Sequence, residues 1–67
     1  MQLHQLLRMI DNQTYIVLLT LNNEQIYQGT KMNLPVDFYE YNIYRLKLGN
    51  VSSIYATIEC LYIILEK

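Results

Sequence analysis

Cysteine and histidine each occur once in these 67 residues, as Cys60 and His4. A single thiol closes no disulfide within the chain, and one Cys with one His falls short of a four-ligand zinc site. Proline occurs once and glycine twice. That scarcity leaves no Gly/Ser/Pro-rich linker and no low-complexity tract, and no internal repeat is visible, so residues 1–67 read as one small domain. Gly29 and Gly49 are far apart and neither opens a Gly-Lys-Ser/Thr motif, which excludes a phosphate cradle of that type.

Charge is also sparse, at 16% of residues with a net charge of −1. The five cations give no basic footprint for nucleic acid, and the six acids are too scattered to mimic a phosphate backbone. Apolar runs such as Leu61–Leu65 fall far short of the ~20 residues of a membrane span. The first eight residues lack the positive region and apolar stretch of a secretion signal. With the lone Cys, this points to a soluble, cytoplasmic protein.

What is abundant is apolar surface, 52% of the residues, well above the range of disordered chains. A chain of this length buries only about 60% of the surface its unfolded form exposes. Ordering it costs on the order of 100 kcal/mol. With disulfides and metal excluded, close packing or self-association must supply the difference, and the apolar excess favours a homo-oligomer.

Leu3, Leu6, Leu7 and Ile10 follow helical spacing, which predicts a short amphipathic helix over about 2–10, ended by Asn12 in a left-handed conformation. Thr14–Leu21 reads as a central strand, with Ile16 and Leu18 on one face and Tyr15, Val17, Leu19 and Leu21 on the other. The turn pair Asn22-Asn23 joins it to a second strand, Gln25–Gly29, in a β-hairpin. After a connection over Thr30–Pro35, Pro35 with Asp37 and Glu40 suits one to two helical turns over Val36–Tyr41.

Asn42–Leu48 alternates as a half-buried strand, although Val36, Tyr39, Ile43 and Leu46 also fit a helix ending at Gly49. Gly49-Asn50 reads as a two-residue turn, and Val51–Leu65 as one or two further strands. A helix from Ser53 is the alternative there, set against a load of β-branched residues. The expected fold is α+β: an N-terminal helix packed on a small, mostly antiparallel sheet of four or five strands, with a short helical insertion. The sheet face away from the helix keeps apolar side chains that nothing in the chain covers.

Chemistry-bearing residues are few. Cys60 needs a base, and His4 is its only His, so a buried small hydrophobe and a solvated His are the simpler readings. Asp37 and Glu40 share one side of a helical turn, but no third group joins them, and acids in a first turn need no catalytic role. Tyr44, Arg45 and Lys47 could stack on bases, but the net charge speaks against nucleic acid. No catalytic residue, metal ligand or cofactor is expected.

Tyrosine stands out, with seven of the eight aromatics and no Trp. Tyr15, Tyr27, Tyr55 and Tyr62 suit ordinary sheet filling. The cluster of Phe38, Tyr39, Tyr41, Tyr44 and Arg45 combines residue types typical of binding hot spots, in a chain too small to hide them all. It is the candidate partner-binding site.

Leu6-Leu7 in the opening helix, Asp11–Ile16, Ile26-Tyr27-Gln28-Gly29, Leu34-Pro35 followed by Tyr39, and Leu61–Ile64 together span nearly the whole chain. In these elements the sequence resembles a group of very small uncharacterised proteins encoded in phages and mobile elements of Gram-positive bacteria. Its segment Asn42–Cys60 is longer than in that group. The resemblance implies a mobile-element accessory protein and suggests an inhibitor or modulator of a host protein, including host defence complexes. It assigns no role to any residue. The functional expectation is therefore a non-enzymatic protein-binding accessory module, with a host protein and further copies of itself as partners and no membrane. The alternative is a small-molecule or nucleotide-binding module with a Tyr-lined pocket at an oligomer interface.

Overall fold

The apolar stripe at the N-terminus folds as α1, Leu3–Leu7, in a computed structural model that describes residues 1–66. The helix is shorter than the 2–10 expected. After Leu7 the Met9 N–H donates to the Leu6 carbonyl at 2.9 Å, the tightened i to i−3 pattern of a helix running out. Asp11 then organises the exit: its carbonyl accepts the Thr14 N–H at 3.0 Å and its carboxylate the Gln13 N–H at 3.3 Å. With this Asx-type turn in place, Asn12 needs no left-handed conformation and does not adopt one. Among the described residues Asn23, at φ 64°, is the one non-glycine with positive φ.

Asn23 lies in the turn between β1, Tyr15–Thr20, and β2, Gln25–Thr30, which pair antiparallel as expected. The Thr20 hydroxyl holds this turn by accepting the N–H groups of Asn22 and Glu24, each at 3.2 Å. From β2 the chain crosses to the far edge of the sheet through two 3-10 turns, Lys31–Asn33 and Val36–Phe38. These replace the expected helical insertion. Leu34 and Pro35 between them are extended, with ψ of 126° and 140°, so no continuous helix can run through this segment.

Residues 42–48 form the expected strand, and neither helical alternative forms. The expected half-buried alternation does not hold: Tyr44, Leu46 and Leu48 are all exposed, and a bulge between Ile43 and Arg45 breaks the period of two and sets Ile43 on the face of Leu46 and Leu48. The strand, however, does not turn at Gly49-Asn50: β3 runs unbroken over Asn42–Ser52, and β4 over Thr57–Glu66. Gly49 is a strand residue paired with Cys60, and the Tyr62 ring from β4 occupies the space where a side chain would be. Residues 51–65 thus supply the end of β3, a four-residue tip and one strand. The sheet has four strands in the order β2-β1-β4-β3. The two outer pairings are antiparallel and the central pairing, β1 with β4, is parallel.

One face of the sheet carries the core. Leu3, Leu6 and Leu7 of α1 and Leu34 of the crossover close over Ile16, Leu18, Ile63 and Leu65. Val17 and Cys60 are buried but stand outside this cluster. They lie on the opposite face, where Gly49 pairs with Cys60 and Lys47 with Tyr62, and no helix or 3-10 turn covers that face. Its side chains shield one another instead, as where the Gln28 amide beside Val17 donates to the Tyr15 hydroxyl at 3.1 Å.

Candidate protein-binding surface

β1 pairs with β4 only from Leu61 to Leu65, whereas β3 pairs with β4 from Asn42–Glu66 out to Ser52–Thr57. Beyond Leu61 the two strands therefore leave the sheet as a two-stranded ribbon. Ser53 builds its tip. The Ser53 N–H donates to the Ala56 carbonyl at 2.8 Å, while the Ser53 hydroxyl oxygen accepts the N–H groups of Tyr55 and Ala56 at 3.2 and 3.1 Å. With its backbone satisfied in this way, the tip presents Ile54 and Tyr55, each 90% exposed.

The base of the ribbon is apolar as well. Leu48, opposite Leu61 on the helix-side face, is 83% exposed. A groove of about 460 Å³ separates the ribbon from the loop after α1, lined by Ile10, Tyr15, Leu48, Ile58 and Leu61. On the other face, the Tyr62 hydroxyl donates to the Asn50 carbonyl at 3.3 Å. Partial burial raises the Tyr62 phenol above its ordinary pKa, and the neighbouring Cys60 thiol adds to the effect.

The five aromatic-cluster residues separate into two groups. Phe38, Tyr39 and Tyr41 are half-buried against the core, with Phe38 and Tyr41 edge-to-face at 5.9 Å between centroids. The Tyr41 and Tyr39 carbonyls accept the Leu3 and His4 N–H groups at 2.9 and 3.0 Å, which satisfies donors that the first turn of a helix leaves unpaired. Phe38 and Tyr41 also line a pocket of about 320 Å³ with Thr20, Leu21, Ile26 and Leu65. Tyr44 and Arg45 stand apart in solvent. Tyr44 is the extra residue of a β-bulge opposite β4, is 57% exposed, and carries the Arg45 guanidinium 6.0 Å from its ring centre.

The sheet separates Cys60 from His4, which sits on α1 across the core face and meets the Gln2 side-chain oxygen at 2.8 Å. Asp37 and Glu40 are both exposed. Among the described residues no group of three or more His, Cys, Asp or Glu could hold a metal ion, and no buried side chain is polar. Sequence reasoning missed Leu48, Ile54 and Tyr55. The available signal was Ser52-Ser53, a polar pair between Val51 and Ile54 that marks the true turn better than Gly49-Asn50.

Comparison with protein-family models, with curated proteins and with solved structures finds no match to this chain. No helix is long and apolar enough to cross a membrane among the described residues.

Proposed function

We propose that this chain is a non-enzymatic protein-binding accessory module whose β3–β4 ribbon is the contact element. The observation that carries this reading is the exposure of Ile54, Tyr55 and Leu48 on a ribbon that projects from the sheet. Large apolar side chains presented together are the usual mark of an interaction site, and Tyr is enriched where partners meet. Tyr44 and Arg45 lie on the same strand and extend the surface toward the body of the sheet. Phe38, Tyr39 and Tyr41 pack against the core and stand apart from this surface. The resemblance to mobile-element accessory proteins of Gram-positive bacteria makes a host protein, including a defence protein, the partner class. The modulator then acts by occupying that protein's surface.

A second reading, a small-molecule module, draws on the pocket beside Phe38 and Tyr41, whose size reaches the lower end of ligand sites. It weighs less, because no buried polar side chain converges there to orient a ligand. The test is capture of partners from a Gram-positive bacterial lysate by the tagged chain and by two variants, Ile54→Ser with Tyr55→Ser, and Tyr44→Ala with Arg45→Ala. Both pairs are exposed, so stability should change by less than about 0.5 kcal/mol. Near-stoichiometric recovery of one protein, lost with the tip pair, is the expected result. Equal recovery by the tip variant and the native chain would refute the assignment of the contact.

A further inference from the structure

We infer that a second copy of this chain pairs with the outer edge of β3, antiparallel across a two-fold axis, with Leu48 opposite its own counterpart. The starting point is how the chain treats that edge. At the start of β3 its own N-terminus covers it: Gln2 bridges Asn42, the Ile43 N–H donates to the Met1 carbonyl at 2.8 Å, and the Leu3 N–H donates to the Tyr41 carbonyl. From Tyr44 to Ser52 nothing among the described residues pairs with the outer edge. The other outer strand, β2, is only six residues long and carries a bulge beside Ile26. Short length and bulges are common protections against edge pairing. The uncovered part of β3 is longer and regular beyond its bulge at Tyr44.

The uncovered edge 44–52 is symmetric about Leu48. Paired with itself over its full length, it sets Leu48 against Leu48, Lys47 against Gly49, Leu46 against Asn50, Arg45 against Val51 and Tyr44 against Ser52. Charge selects this register. Centring the pair on Leu46 sets Arg45 against Lys47, and centring it on Lys47 or Arg45 sets like charges face to face, which is unfavourable directly across a strand pair. Centres beyond Leu48 avoid the repulsion but pair fewer residues. The Leu48 register also gathers Leu46 and Leu48 of both copies on the helix-side face, where they are 45% and 83% exposed in the single chain. The ribbon, four residue pairs of which have no third strand in the single chain, gains one. The result is a continuous eight-stranded sheet with the two ribbon tips at opposite ends.

The test is sedimentation of the full chain over a concentration series, beside Leu48→Lys. The native chain is expected to reach twice its 8.0 kDa mass. Leu48→Lys, with an unchanged circular dichroism spectrum, is expected to weaken self-association by at least about tenfold, because it sets two cations on the axis. Leu48→Cys supplies an independent readout. Directly opposed residues of an antiparallel pair lie ~4.5–5.5 Å apart between Cα atoms, within the disulfide range of ~4.4–6.8 Å. Mild oxidation should therefore crosslink Leu48→Cys, whereas Ile54→Cys at the tip should stay uncrosslinked. A native chain that stays monomeric at every concentration overturns the inference. A dimer that is indifferent to Leu48→Lys, or that crosslinks at 54 and not at 48, also does so. These outcomes are separate from partner capture: a monomer that still captures a host protein through its tip leaves the proposed function standing.

Discussion

Both glycines of the chain sit against a tyrosine ring. A Cβ built on Gly29, at φ 157°, would come within 2.7 Å of the Tyr27 hydroxyl, and one on Gly49 would run into the Tyr62 ring. At Gly29 the ring does more than cover backbone, since the Tyr27 hydroxyl donates to the Thr30 carbonyl at 2.7 Å. Burial, and secondarily the Tyr15 phenol, raise the Tyr27 pKa above its ordinary value. The folded state therefore holds this proton more tightly than the unfolded state. The stability that Tyr27 contributes is fully present below its unfolded pKa of about 10 and falls as pH rises through the higher folded value. Ionisation also removes the proton that joins its oxygen to the Thr30 carbonyl. Tyr27→Phe should cost about 1 kcal/mol at neutral pH through that lost hydrogen bond, and should flatten the alkaline decline. Urea midpoints measured from neutral to alkaline pH test both effects. Parallel declines in variant and native chain would show that Tyr27 is not the titrating group.

At the scale of elements, the crossover depends on Leu34. It is 5% exposed between two 3-10 turns and is the one residue of 31–37 that joins the buried core cluster. Leu34→Ala should cost about 2–5 kcal/mol. Against a total of roughly 5 kcal/mol at the low end for small domains, this should leave a large unfolded fraction, visible as loss of the urea baseline. A loss below 1 kcal/mol would mean that the crossover holds without its anchor. The elements legible in the sequence were those whose signals are local: the leucine stripe of α1, the Asn22-Asn23 hairpin and the strand over 42–48, though not which of its faces is buried. Gly49-Asn50 misled because what holds it extended, its pairing with Cys60 and Glu59, lies on another strand. The central place of β1 was legible from its two-sided apolar pattern, and the open face from the single helical stripe, which covers one side of the sheet only. The exposure of Leu48 was not, because strand alternation assigns a side chain to a face but does not show whether any other element covers it there.

For the whole molecule, the ribbon and the body share strands but not support. Along β4, residues 61–65 have neighbours on both sides, while residues 57–60 pair only with β3. Isolated two-stranded ribbons are marginal in water, and local opening follows the lack of packed neighbours. Paired amides of residues 49–52 and 57–60 should therefore exchange at least about tenfold faster than paired amides of 61–65, a gap of about 1.4 kcal/mol in opening free energy. Residue-resolved hydrogen exchange on dilute protein measures this directly. The same experiment at high concentration separates the single chain from a pair: an added strand on the β3 edge slows exchange over 44–52 and, by holding β3 in place, carries part of that protection across to 57–60. If the dilute profile is already flat along β4, the ribbon opens only when the body does. Its apolar tip is then held rigidly, and a partner meets a preformed surface without the ordering cost that a mobile ribbon imposes on binding.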